Sequence, residues 1–292
     1  MDGELVRMLY HELFHRRKLR TAARCCYQDS VILWIHFLAV VHDRSNHWAH
    51  HRSNWPIWAR RLPRPSYSQL MRRLKEPAIQ VHIHDLNQAI RARLPQSPNK
   101  AVDGKPLRVG SYSKDPDATR GRITNRSFGR GYKLHAIANE HGVIETFAVT
   151  GLNAGESTVA RQLVNATDLR GAVLRGDANY DSSSTYAAVA LAGGRLLAPR
   201  RKPETGLGHR RHHPDRLRAI EEFERHPDRG AHHKRHRNRI EQVFGHLTNL
   251  PFGLAPLPNW VRRRERVQRW VAVKILLYHL HLAREKQGTK PP

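Results

Sequence analysis

The sequence predicts an α/β chain: a mixed sheet flanked by helices, with an all-α region ahead of it. Three observations predict this. The apolar run Gly171-Ala172-Val173-Leu174 reads as a buried strand and runs into Arg175-Gly176-Asp177. Three strand-like segments with short connections precede it, and strands alternate with helices after it. Residues 1–95, in contrast, show helical spacing and no strand pattern.

Composition narrows the partner. The chain has 292 residues, enough for two domains, and its 51 Lys and Arg against 25 Asp and Glu give a net charge of +26. An excess of that size implies a polyanion, and nucleic acid is favoured over an anionic membrane surface. Arginine dominates, which suits bidentate contacts to phosphate. The two cysteines, Cys25 and Cys26, are adjacent, so they build neither a disulfide framework nor a zinc site, and a reducing compartment is expected. The longest apolar run, 31–41, is too short for a bilayer and reads as a core helix. No internal repeat and no membrane span are expected, and the cytoplasm is the expected location.

In the helical region, Leu5, Met8, Leu9 and Leu13 share a face, and the basic run Arg16-Arg17-Lys18-Leu19-Arg20 follows. Trp48, Trp55 and Trp58 are read as packing between helices, with stacking on bases the minority reading. Ser66 and Gln69 form a capping box for a helix over 69–75 that carries Arg72 and Arg73. Pro77 opens the next helix, 78–94. Two helices around a proline-containing turn resemble a helix-turn-helix, which makes Arg72 and Arg73 candidates for DNA contact. A plain helical packing domain with a solvated basic face is the alternative.

The polar stretch 96–100 opens the sheet region. Residues 101–109 predict a strand broken at Gly104 or Pro106, and 114–130 a basic loop. Residues 132–138 and 144–149 predict two more strands, with Gly142 turning the hairpin between them. Asn153 and Glu156 read as an N-cap pair for a helix ending near Asp168. After the strand to Asp177, Asp181 and Ser182–Ser184 offer caps for a helix over 186–191, and 196–198 is a short strand. This order matches an RNase H-like fold.

Residues 200–239 are rich in Lys, Arg and His and read as a basic insertion, at about 200–234, beside the sheet. His209, His212, His213, His232, His233 and His236 read as a solvated, phosphate-facing set rather than a zinc cluster. A helix over 237–250 has the apolar stripe Ile240, Val243, Phe244 and Leu247, with Glu241 and Arg237 on one flank. A Pro/Gly turn at 251–258 leads to a basic helical end. Trp270, Val273, Leu277 and Leu280 are its buried face; Arg262, Arg263, Arg264, Arg266 and Arg269 are expected to be exposed. Two domains are expected, 1–95 and 96–285, followed by a flexible tail, 286–292.

Asp103, Asp177 and Glu241 thus come from two strand ends and a helix. Three converging carboxylates need cations to neutralise them, and Mg²⁺ fits hard oxygen ligands beside phosphate. Two such ions can activate an attacking oxygen and stabilise a leaving one. Asp177 as a mere helix cap is the alternative for that residue, and Glu221, Glu222 and Glu224 are the rival third acids.

Val102-Asp103-Gly104, Gly131-Tyr132-Lys133-Leu134-His135, Gly176-Asp177-Ala178-Asn179-Tyr180-Asp181 and Arg237-Asn238-Arg239-Ile240-Glu241-Gln242-Val243-Phe244 together resemble the DDE-domain transposases of bacterial insertion sequences. The resemblance covers about residues 100–250. It implies an RNase H-like core, two Mg²⁺ ions (with Mn²⁺ able to substitute), and cleavage and strand transfer of double-stranded DNA at element ends and target. It also implies a homodimer or larger assembly on paired ends, in the bacterial cytoplasm with the nucleoid. Asp103, Asp177 and Glu241 match the acidic triad in both catalytic and metal-binding roles, and Arg237 matches the arginine of the Tyr-Arg-Glu-Lys signature. With Lys234, Lys133, Arg72, Arg73, Arg262 and Arg263, Arg237 makes up the expected DNA-binding set. The signature's tyrosine position falls on Lys234 and its lysine on Thr248. These departures leave an inactive DNA-binding relic as the alternative.

Overall fold

The computed structural model describes residues 3–16, 26–110, 112–124, 126–209, 211–249, 253–254 and 257–288. The expected basic run at 17–20, Cys25, parts of the turn at 250–256 and the tail from 289 lie outside the described residues. The chain divides into two compact units, one of residues 1–94 with 249–292 and one of residues 95–248.

The first unit is helical. It opens with α1 (Gly3–His11) and continues through α2 (Asp29–Val41), α3 (Asn46–His50), α4 (Tyr67–Arg73) and α5 (Pro77–Arg91). The apolar run is the core helix α2, and every one of its residues is buried. The Ser66–Gln69 capping box forms as the spacing predicts, and Pro77 starts α5. Trp55 is buried and donates from Nε1 to Ala49 O at 2.6 Å. Trp58 lies edge-on to Tyr10.

The second unit holds a six-stranded mixed sheet. Its first strand, β1 (Asn99–Arg108), runs unbroken through Gly104 and Pro106, contrary to the expected break. The reason is local. β1 pairs with a parallel neighbour only over 99–101, so one edge is open beyond Ala101. Val109 N donates to Arg130 O across the other edge, so the nitrogen of Pro106 faces the open side, where no donor is required.

β2 (Thr119–Thr124) stands where a loop is expected, and it pairs with the start of β3 (Ser127–Asn139). Its Thr-Arg-Gly-Arg-Ile-Thr sequence hides the strand, because one face is arginine and the other mostly small. A Cβ on Gly121 would lie 2.7 Å from Leu152 O, so only glycine fits there. β4 (Ile144–Gly151) continues along the same edge of β3, while β1 takes the opposite edge. Gly142, at φ 82°, makes the expected turn.

α6 (Glu156–Asn165) begins after Gly155 without a side-chain cap. The expected cap, Asn153, lies too early, and its N–H donates to Thr119 Oγ1 instead. β5 (Val173–Arg175), α7 (Ser183–Leu191, capped by Ser182) and β6 (Arg195–Leu197) follow, with β5 parallel to both β1 and β6. Leu163, Val164, Leu174, Tyr186, Val189 and Leu196 fill the core. The basic stretch is mostly helical: α8 (Pro214–Arg225) packs on α7 and β6, and α9 (Pro227–Asn249) starts ten residues before the expected helix at 237.

The last helix, α10 (Arg264–Gly288), contacts α5, α2 and α1, so it belongs to the helical unit rather than to the sheet unit expected to extend to 285. Trp270, Val273, Leu277 and Leu280 are buried as expected. Arg269 is buried too, against expectation, and donates to Leu74 O. Among the described residues no helix is long and apolar enough to cross a membrane.

Candidate active site

Parallel pairing sets Ala101 opposite Arg175. Two residues beyond that last pair come Asp103, still within β1, and Asp177, just past the end of β5. Burial pushes Asp103 up to about 7, and the charges of Asp177 and Glu156 add to that; the Gly104 N–H and Arg237 oppose it. Asp177 is also raised, first by burial and then by Glu156. Among the described residues neither carboxylate has an ion pair with Lys, Arg or His. Asp103 Oδ1 accepts from Gly104 N at 2.7 Å, and Asp177 Oδ1 accepts from Asn179 N at 2.8 Å. Asp177 therefore does cap the short turn 178–180, and it also shares the Asn179 side-chain amide with Glu156. Asp181 is different: both of its oxygens are taken by Arg216, at 2.6 and 2.8 Å.

Glu156 is the residue that sequence reasoning misassigned. Its spacing from Asn153 suggests a capping partner, whereas in the fold it starts α6 and shares the Asn179 amide with Asp177. Lys133 Nζ donates to Glu156 Oε1 at 2.9 Å, and Asn179 Nδ2 donates to Glu156 Oε2 at 3.1 Å. The same Asn179 Nδ2 donates to Asp177 Oδ2 at 2.9 Å. A Cβ at Gly104 would come within 3.2 Å of Glu156 Oε1 and 3.1 Å of Lys133 Cδ, so glycine leaves room for this ion pair. Tyr180 is fully buried with an unpartnered hydroxyl, and its pKa is pushed well up by burial and by Asp103, Glu156 and Asp177. His135 is buried and lowered to about 4 by burial and Lys133.

Glu241 is not gathered with the strand acids. It stands on α9 with its side chain 49% exposed and pairs with Arg237 at 2.9 Å. Among the described residues no group of three or more His, Cys, Asp or Glu side chains is disposed to hold a metal ion. Asp103, Asp177 and Glu156 act on one another electrostatically, while Glu241 pairs with Arg237 one turn earlier on α9. Arg237 does act on both Asp103 and Asp177. His233 anchors the helix, with Nε2 3.2 Å from Gly176 O. Lys234 is exposed. Thr248 Oγ1 donates back to Phe244 O at 2.6 Å, so its hydroxyl is engaged within the helix. The rival acids Glu221, Glu222 and Glu224 pair with Arg225, Arg195 and Arg200. His232 and His236 contact each other at 3.1 Å, but no histidine zinc cluster forms among the described residues.

In the helical unit, Arg72 is exposed and Arg73 is not. Arg73 is 7% accessible and is held by Asp29, by Glu76 at 2.8 Å and by Tyr27 O. Its expected place on a DNA-facing surface is corrected to the unit's interior, because a guanidinium leaving water needs those acceptors. Arg262 folds onto Pro258 O and Val261 O, and Arg263 is exposed at φ 72°. The β2–β3 ribbon adds an exposed cationic face missed in the sequence: Arg120 and Arg122 opposite Arg130 and Phe128, with Arg122 over the Phe128 ring.

The sequence of residues 96–280 matches the family described as Transposase DDE domain. The fold is similar to that in the cryo-EM structure of a piggyBac transposase synaptic complex with hairpin DNA. The TM-score is 0.50 at 12% identity, over 99% of this chain and 74% of that one. No curated protein matches the chain in sequence. With the family matched over well over half its length, the chain belongs to the DDE-domain transposases.

Proposed function

We propose that the chain is an insertion-sequence transposase that binds the ends of its element and carries out divalent-cation-dependent DNA cleavage and strand transfer. The observation that supports this most is the acid pair Asp103 and Asp177. Asp103 lies in β1 and Asp177 just past the end of its parallel neighbour β5, both have pKa values raised by burial, and neither has a cationic partner among the described residues. Desolvated carboxylates of this kind are hard donors that suit Mg²⁺ or Mn²⁺. Asp103 and Asp177 would hold the ions, with Glu241 joining them once its side chain leaves Arg237. When bound, the ions supply Lewis-acid stabilisation of charge at the scissile phosphate.

The rest is done by the protein's own side chains. Arg237 and Lys133 offer cations beside the acids for the DNA backbone, and Lys234 extends that charge along α9. Arg120, Arg122 and Arg72, all exposed, give further backbone contacts. The reaction at two element ends calls for at least two protomers. An in vitro assay of cleavage and joining on duplexes bearing the element's ends tests the reading. Cation-dependent nicking that Asp177→Asn abolishes supports it; binding without cleavage under any divalent cation would favour the DNA-binding relic, which the engaged hydroxyl of Thr248 makes the second reading.

A further inference from the structure

We infer that Glu156 is a positioning residue of the active site, setting the Asp177 carboxylate through Asn179 and holding Lys133 over Gly104, next to Asp103. The inference rests on the reading of Asp103 and Asp177 as the cation-binding pair. Its geometry is a chain of short contacts. One amide group, Asn179 Nδ2, donates to Asp177 Oδ2 at 2.9 Å and to Glu156 Oε2 at 3.1 Å. The other oxygen of Glu156 accepts from Lys133 Nζ at 2.9 Å. Asn179 is further tied by its own N–H to Asp177 Oδ1 and by its carbonyl to Ser157 Oγ at 3.5 Å. Glu156 therefore links α6 and β3 to the turn after β5. An acid in the first turn of a helix is also favoured by the helix dipole, which alone would account for Glu156 as a stabilising residue. A second feature points beyond that. The Tyr180 hydroxyl is buried and unpartnered, within electrostatic reach of Asp103, Glu156 and Asp177 together. A buried hydroxyl left unsatisfied beside carboxylates is the kind of group that a bound water or ion completes.

Asn179 carries the positioning effect, because a shared donor can fix two carboxylates in one arrangement. Removing Glu156 or the Asn179 side chain should loosen Asp177, whose Oδ1 keeps only the backbone N–H of residue 179, and such supporting groups typically cost about tenfold in metal affinity when lost. The test uses the full chain and Mn²⁺ alone, with binding followed by loss of the free-ion EPR signal and folding by thermal melting. Glu156→Ala and Asn179→Ala should each weaken Mn²⁺ binding about tenfold. The double variant should be no worse than either single one, as expected of two residues acting in one chain. Glu156→Gln, which still offers Asn179 an acceptor, should keep most of the affinity. Unchanged Mn²⁺ affinity in folded Glu156→Ala, or losses that multiply in the double variant, would overturn the inference. If Glu156→Ala fails to fold, unchanged affinity in Asn179→Ala overturns it alone. Asp177→Asn separates the two levels: if it leaves Mn²⁺ binding intact, the acid-pair reading itself fails. If it abolishes binding while the Glu156 and Asn179 variants bind normally, only the present inference fails.

Discussion

The two units differ in what they leave beside their buried carboxylates. Among the described residues of the helical unit the buried carboxylates Glu12 and Asp29 are both ion-paired. Arg73 lies against Asp29, Arg269 donates to Leu74 O, and Lys274, fully buried, contacts Asp43 at 2.6 Å and the Trp270 ring. Burial still lowers Lys274 to about 8, but a counter-charge is present. In the sheet unit, Asp103 and Asp177 are desolvated with no ion-pair partner among the described residues. A single strand shows both cases: Lys100 of β1 pairs with Glu145 at 2.6 Å, and Asp103 follows three residues later with no such partner. A buried charge that is paired belongs to the scaffold, while one left uncompensated stores free energy that a ligand can recover.

The largest effects should separate these classes. Asp103→Ala or Asp177→Ala should lower cation-dependent cleavage about a thousandfold or more while leaving the melting temperature unchanged or raised, since an uncompensated charge is removed. Arg73→Ala should do the reverse. It leaves Asp29 buried without its guanidinium and should cost about 3–5 kcal/mol of folding stability in denaturant titrations. Arg72→Ala, one residue away and exposed, should leave stability within about 0.5 kcal/mol.

A pH series sharpens the contrast. The value of Asp103 in the fold, about 7, lies above its ordinary 3.8. Its contribution is therefore fully present below about pH 3.8 and is lost as pH rises through about 7. The cation-free protein should melt at lower temperature at pH 8 than at pH 5, and Asp103→Asn should flatten that slope. A wild-type slope that Asp103→Asn does not change would place the pH dependence elsewhere.

Much of this was legible in the sequence because strand ends and helical stripes are local patterns. Asp103 and Asp177 follow apolar β-branched runs, and Ile240, Val243, Phe244 and Leu247 mark the buried face of α9. β2 was not legible, since alternating arginine and small residues lack the apolar period that reveals a strand. The burial of Arg73 could not be read either, because Asp29 lies 44 residues earlier. Glu156 was visible but misassigned: the cap spacing from Asn153 is a local cue, whereas its contacts with Lys133 and Asn179 depend on the tertiary fold.

Smaller effects concern the exposed cations. Replacing Arg120 and Arg122 together by Ala should reduce the salt dependence of duplex binding by roughly one to two phosphate contacts, read as the slope of log affinity against log salt. Arg237→Ala should raise the pH at which Mn²⁺ begins to bind, because Arg237 favours the ionised forms of Asp103 and Asp177. Thr248→Lys should have the smallest effect, a gain in joining on pre-cleaved ends from one added charge on the α9 flank. Robust wild-type joining with no gain would show that another cation already serves there.

The most direct test of the acid pair needs no knowledge of the element's ends. Thermal melting at pH 8 is measured with and without Mn²⁺ for wild type, Asp103→Asn and Asp177→Asn. A ligand that binds only the folded state raises its melting temperature. Wild type should rise with Mn²⁺, and each Asn variant should lose most of that rise while melting higher than wild type in its absence. Equal Mn²⁺ shifts in all three proteins would contradict the account.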